Sequence, residues 1–238
     1  MQDIRYALRS ISARPWFAAA IAATKMLKDA GFKVSYQIML NLYGSSPKRD
    51  LAMANVLFSN PDFCPDLLKI YTCAVLPEAP LHELYENGKY RPYSDEKLVE
   101  AVKEIKKITP PWVRIERIIR DIPSPRITTG TKGISNLRQI IANDMEREHW
   151  RCQCIRCREI RKGKIDDREL ILDGFVYRAG WAEEHFLSYN TQDDHILGFL
   201  RLSLPDKEHF FPADELRDSA IIREVHVYGQ SIEVGGEG

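Results

Sequence analysis

Along the first half of the chain, stretches with apolar residues at helical spacing alternate with short runs that are apolar at every second position or throughout. PWFAAAIAATKMLKDA, residues 15–30, predicts a helix: proline stands early, alanine favours the conformation, and Gly31 stops it. KVSYQIML, residues 33–40, is strand-like. Ser46 and Pro47 supply an N-cap and first turn to a helix that reaches Ser59, where Asn60-Pro61 breaks it. DLLKIYT, Asp66 to Thr72, predicts a second strand. Ser94 caps a helix in which Leu98, Ala101, Val102, Ile105 and Ile108 recur at helical spacing until Pro110-Pro111. From Trp112 to Ile119, Val113 and Ile115 alternate with Arg114 and Glu116, which predicts a third strand.

This order is βαβ organisation, an α/β class that implies parallel pairing covered by helices. Three parallel strands leave an edge bare, so the segment is expected to be part of a larger sheet or barrel. IPSPRITTGTKGIS has the prolines and glycines of a link, and a helix is expected from Ser135 to about Glu148. Beyond Lys164, LILDGFVYRAGWAEEHFLSYN, HILGFLRLSLP and AIIREVHVYGQ are β-rich and joined by acidic turns, an antiparallel texture. The expected divisions are residues 1–125, 126–164 and 165–238. No apolar run is long enough for a membrane helix and the start lacks a secretory pattern, so no membrane partner and a cytoplasmic location are expected.

Charge changes this picture. The 34 basic and 34 acidic residues cancel overall. Met1–Val102 nevertheless holds 12 basic against 11 acidic, Lys103–Lys164 16 against 7, and Ile165–Gly238 6 against 16. The basic middle is rich in arginine, including Arg114, Arg117, Arg120, Arg126, Lys132 and Arg138, and suits recognition of a phosphate backbone by shape. The acidic last part is expected to dock on the basic link.

Five cysteines, three of them in Cys152-x-Cys154-x-x-Cys157, do not make a disulfide framework. Thiolates so close can converge on one soft metal ion. Structural zinc, with His149 weighed as fourth ligand, is preferred to free thiols or an iron–sulfur cluster, because the spacing is tighter than C-x-x-x-C-x-x-C. MLNLYGSS, Met39–Ser46, puts a glycine-containing loop after a strand and before a helix, where α/β ligands sit, although an ordinary capped turn has the same pattern. Glu224, His226 and Tyr228 alternate with Val225 and Val227, which predicts one polar and one core face. His82, His185, His195 and His209 are expected at the surface.

KMLKDAGFKVSYQIMLNLYGSSPKRDLAM, NPDFCPDLLKIYT, GKYRPYSDEKLVE, PPWVRIERIIRDIPSP, ISNLRQ, RCQCIRCREI, GFLRLSLPD and IIREVHVYGQ together resemble, in order, the catalytic subunit of Elongator in its archaeal or bacterial form. The resemblance implies the later part of a radical-SAM-type partial barrel, a zinc-knuckle linker and part of a GNAT acetyltransferase sheet. It also implies carboxymethylation of the tRNA wobble uridine at C5. In that family acetyl-CoA supplies the carbon skeleton and an S-adenosylmethionine-derived radical activates it, with an iron–sulfur cluster as further cofactor. By residue, it implies zinc at Cys152, Cys154 and Cys157, and S-adenosylmethionine near Met39, Asn41, Gly44 and Ser45. Acetyl-CoA would lie along Glu224, His226, Tyr228 and Gln230, and the tRNA anticodon stem-loop on the basic middle.

Leu40 and Tyr43 stand where the family has prolines, as does Thr72 after Lys-Ile-Tyr. Neither the family's C-x-x-x-C-x-x-C nor its Q-x-x-G-x-G/A turn occurs in these 238 residues. The chain is therefore expected to be a central piece, active where a neighbouring chain supplies the other segments. The alternatives are a catalytically silent tRNA-binding or scaffold module, or a truncated reading frame.

Overall fold

The computed structural model describes residues 15–120, 122–130, 136–160, 170–206 and 218–229. Helix α1 (Pro15–Asp29) leads to β1 (Ser35–Leu40), α2 (Pro47–Ser59), β2 (Leu67–Thr72), α3 (Pro80–Glu86), α4 (Asp95–Lys107) and β3 (Arg114–Ile118). The strands pair in parallel in the order β1-β2-β3. Ser46 accepts from the Arg49 amide and Ser94 from the Lys97 amide, so both caps lie where the sequence puts them. Pro80–Glu86 is a helix the sequence pattern did not predict. It buries no residue, and its cap position, Ala79, has no side chain to close the first turn.

Helix α4 turns Leu98, Ala101, Val102 and Ile105 onto the sheet, where they meet Ile38, Leu40, Leu68, Ile70 and Ile115 in one core. The same core takes Leu137 and Ile141 of α5 (Leu137–Arg147), together with Cys152 and Cys154, just before the short α6 (Ile155–Arg158). The link between the sheets is thus packed against the first module. On the other face of the parallel sheet Lys69 approaches Glu116 at 3.7 Å, and Ser35 donates to Glu116 at 3.3 Å.

Strands β4 (Ile171–Ala179), β5 (Ala182–Asn190), β6 (Ile196–Pro205) and β7 (Ile221–Val227) form an antiparallel sheet in sequence order. Its outer and inner faces reverse one expectation. Val225 and Val227 are 64% and 78% exposed, whereas the opposite face, with Glu184, Ser188, Arg201 and Ser203, is buried. Alternation fixes that β7 has two faces but not which one is covered. Here the polar face is covered at Arg223 and Glu224, whose charges meet Asp66 and Lys33 of the first module, while His226 on the same strand is exposed.

That seam is continuous. Asp66, fully buried just before β2, accepts both terminal nitrogens of Arg223, at 3.0 and 2.8 Å. Arg223 also donates to Glu184, at 2.7 Å from its terminal nitrogen, and to the Phe32 carbonyl at 2.9 Å. Lys28 reaches Asp66 at 3.4 Å, and the Val34 amide donates to it at 2.9 Å. Burial alone would raise the Asp66 carboxyl, but Lys28, Arg201 and Arg223 outweigh it and hold that carboxyl far below the ordinary range. Trp112 stacks on Tyr177, their planes 7° apart, and Asp194 takes Arg151 and Arg158 at 3.0 and 2.9 Å. The last two pairs join the acidic segment to the basic link. No helix among the described residues is long and apolar enough to cross a membrane.

Candidate functional site

The extended backbone at Cys154 and the single turn of α6 fold C-x-C-x-x-C back on itself. The three sulfurs lie within 4.8 Å of one another, with Cys152 and Cys154 buried and Cys157 partly so. Bonds of about 2.3 Å to one tetrahedral ion would hold thiolates about 3.8 Å apart, which this arrangement meets with small side-chain adjustments. Hydrogen bonds from Cys152 and Cys154, and then the Lys106 ammonium, pull the Cys157 thiol well below its ordinary range. The same sharing pushes Cys152 up. Lys106 donates to Cys157 Sγ at 3.3 Å. Among the described residues no histidine or carboxylate joins this group. His149 is exposed, in the left-handed turn that ends α5 (φ 55°). The donor set suits a single soft ion. It does not suit a cluster, whose thiolates sit on separate irons and therefore spread wider.

The second constellation is the loop after β1. Asn41 takes a left-handed conformation (φ 64°), and its backbone is tied at both ends: its amide donates to Asp50 at 3.0 Å and its carbonyl accepts from Tyr90 at 2.6 Å. Its side-chain oxygen accepts from the Tyr93 amide at 3.0 Å. Ser45 and Tyr93 donate to Asp50 at 2.5 and 3.0 Å, so one buried carboxylate holds the loop against α2. Burial, and the nearby Asp50 charge for Tyr93, push both tyrosine hydroxyls up, which keeps them as donors. Gly44 adopts φ 80°, where a side chain would be strained. Met39 and Tyr43 are exposed on this rim. Two buried polar atoms here, Asn41 Nδ2 and Thr72 Oγ1, lack a hydrogen-bond partner. They lie at the C-terminal ends of paired strands, the side of a parallel sheet that receives ligands. Asp50, Tyr90 and Tyr93 were not legible as parts of this site, since the tyrosines enter it from a loop about fifty residues downstream.

Strand β7 lies elsewhere. Glu224 pairs with Arg201 at 2.8 Å and with Lys33 at 3.0 Å, and Tyr228 is hydrogen-bonded to Arg114 at 2.7 Å. His226 stacks on Phe199, with ring centroids 5.7 Å apart. Lys33 precedes β1 and Arg114 begins β3, so β7 meets the N-terminal end of the parallel sheet. The loop is at the other end, about 17 Å away at 3.3 Å per strand residue. The two sets of residues expected to face cofactors are therefore not brought together within these residues. Gln230 lies outside the described residues, as do Lys132 and His209.

Much of the basic charge is internally paired. Arg114 meets Glu159 at 2.7 Å, Arg126 pairs with Glu78, and Arg138 donates to the Ile115 and Glu116 carbonyls at 3.4 and 3.3 Å. Arg117 and Arg120 are exposed at the end of β3. His82, His185 and His195 are partly or fully at the surface and pair with Glu86, Glu183 and Asp193.

Residues 65–147 match the family model of the radical-SAM C-terminal domain. Over 216 residues the chain is 41% identical to the tRNA uridine(34) acetyltransferase of Methanocaldococcus infernus, which covers 88% of this chain and 40% of that relative. It is 38% identical over 224 residues to Elongator complex protein 3 of Mus musculus, covering 91% of this chain and 40% of the relative. A solved structure of Methanocaldococcus infernus Elp3 with an N-terminal deletion matches at TM-score 0.81 and 38% identity, over 92% of this chain and 52% of that one. The chain is a relative of the Elongator catalytic subunit. Its fold is accordingly that of a radical-SAM-type barrel segment followed by a GNAT-type sheet. Within this Elongator-type frame the cysteine turn falls between the two sheets, and the Asn41 loop precedes the matched radical-SAM C-terminal segment.

Proposed function

We propose that this chain serves the C5 carboxymethylation of the tRNA wobble uridine, in the cytoplasm, as the central portion of a radical-SAM/GNAT enzyme. The observation that carries this reading is a 41% identity to a tRNA uridine(34) acetyltransferase that covers 88% of this chain. The chain spans 40% of the relative's length, and the remaining parts of the reaction are assigned to segments outside it. The division into residues 1–125, 126–164 and 165–238 belongs to the same proposal.

In this reading Cys152, Cys154 and Cys157 hold one zinc ion that fixes the link, supported by the convergence of their sulfurs. S-adenosylmethionine would lie at the rim of Met39, Asn41, Gly44 and Ser45, supported by the unpartnered Asn41 Nδ2 and Thr72 Oγ1. Acetyl-CoA would run along β7, an edge strand whose unpaired backbone groups suit an extended pantetheine. There Glu224 and Tyr228 act as braces, and His226, Tyr228 and Gln230 border the path. The described cysteines do not fit the radical-SAM iron–sulfur cluster, and no step through it is assigned to them. Arg114, Arg117, Arg120, Arg126, Lys132 and Arg138 would together meet the anticodon stem-loop.

Mass-spectrometric nucleoside analysis of tRNA from cells with and without this chain tests the reading. Loss of the C5-carboxymethyl family of wobble uridines on removal is expected. An unchanged nucleoside profile would leave the silent tRNA-binding module as the better account.

A further inference from the structure

Lys106 stands on the last turn of α4 with 2% of its surface exposed. The lysines flanking it are conventionally paired: Lys103 meets Glu100 at 3.2 Å as well as Glu148, and Lys107 meets Glu104 at 2.6 Å. Among the described residues Lys106 has no carboxylate at ion-pair distance. Its Nζ instead donates to Cys157 Sγ at 3.3 Å. A buried ammonium is costly unless a compensating negative charge is close. Three thiolates around a divalent ion leave one negative charge, and Lys106 is placed to balance it.

We infer that Lys106 is the counter-cation of the thiolate centre, donating to Cys157 so that three thiolates, one divalent ion, a neutral fourth ligand and one ammonium form an electrically neutral buried unit. This rests on the reading that the three cysteines hold a metal. It extends that reading to a residue 51 positions upstream on another element. Outer partners of this kind fix the orientation of a ligand and its hold on the ion. A hydrogen bond to a coordinated sulfur also lowers the energy of its lone pairs, so sulfur-to-metal charge transfer requires more energy. Lys106 is thus a positioning residue with a spectroscopic signature.

The test uses the full chain, loaded with zinc or with cobalt(II), as wild type, Lys106→Met and Lys106→Arg. Zinc release to the chromophoric chelator 4-(2-pyridylazo)resorcinol is expected to be roughly 10- to 100-fold faster in Lys106→Met. Its cobalt–thiolate charge-transfer band is expected at lower energy. Lys106→Arg, which keeps the charge, should release zinc within a few-fold of wild type. A wild type that takes up neither metal sinks the metal reading and the role of Lys106 together. A metal-loaded wild type matched by Lys106→Met in both release rate and band position overturns only the role of Lys106. Should Lys106→Met not fold, Lys106→Gln replaces it, and an unmoved cobalt band with wild-type release would again overturn the inference.

Discussion

Arg223→Met is expected to destabilise the chain by about 3–5 kcal/mol, because it removes one partner from a buried ion group and leaves the others behind. Arg223 is the shared donor of Asp66, which immediately precedes β2 of the first sheet, and Glu184, on the second. Both carboxylates are essentially inaccessible to water, so neither recovers solvation when the guanidinium is lost. Lys28, at 3.4 Å from Asp66 and with its pKa lowered by burial, is a weaker substitute than the two-pronged contact of Arg223. Urea denaturation followed by tryptophan fluorescence reads the loss as a lower midpoint. A midpoint within error of wild type would mean that the seam contributes nothing to folding.

The same group sets an acid limit. The Asp66 carboxyl is depressed in the folded state, so its stabilisation is complete above the unfolded value of about 3.9 and is lost as pH falls below that toward the folded value. Wild-type stability should therefore fall below about pH 4. In Arg223→Met that fall should be shallower, since a smaller depression leaves less to lose.

Cys154→Ser is expected to remove the metal altogether, from about one zinc per chain to none, and to loosen the link as a unit. Cys154 is fully buried in the core that α4, β3 and α5 share, with Leu137 and Ile141 in the same cluster. A ligand lost there also leaves the buried Cys152 and the partly buried Cys157 with the Lys106 ammonium beside Cys157 and no metal ion to hold the turn together. Elemental quantitation reads the metal, and limited proteolysis near residues 148–160 reads the loosening. Full zinc occupancy in Cys154→Ser would exclude the three-cysteine centre.

The parallel strands and the capped helices were legible because their signals are local: Ser46-Pro47, Ser94, and the apolar stripe from Leu98 to Ile108 each act over a few residues. The cysteine turn was legible for the same reason. Lys106 was not, since nothing in a lysine between two other lysines marks which one will face sulfur. Nor was Asp66: an acid before an apolar run reads as the edge of a strand, and its partner Arg223 is 157 residues away. That distant pairing also explains β7, whose alternation predicts Val225 and Val227 on the core face. The alternation is real, but Glu224 spends its charge on Arg201 and Lys33, leaving Val225 and Val227 outside. Counting basic residues likewise overstates the free positive surface, because Arg114, Arg126, Arg151 and Arg158 are paired within the fold.

The most direct test of the RNA contact at the centre of this account is the affinity of the full chain for a tRNA anticodon stem-loop with uridine at the wobble position, titrated by fluorescence anisotropy over a range of salt. The account predicts tighter binding than to a duplex of equal length and affinity that falls with salt. Arg120→Ala should weaken it and reduce the magnitude of the log–log salt slope by about one. Equal affinity for the duplex, or an Arg120→Ala variant indistinguishable from wild type, would contradict it.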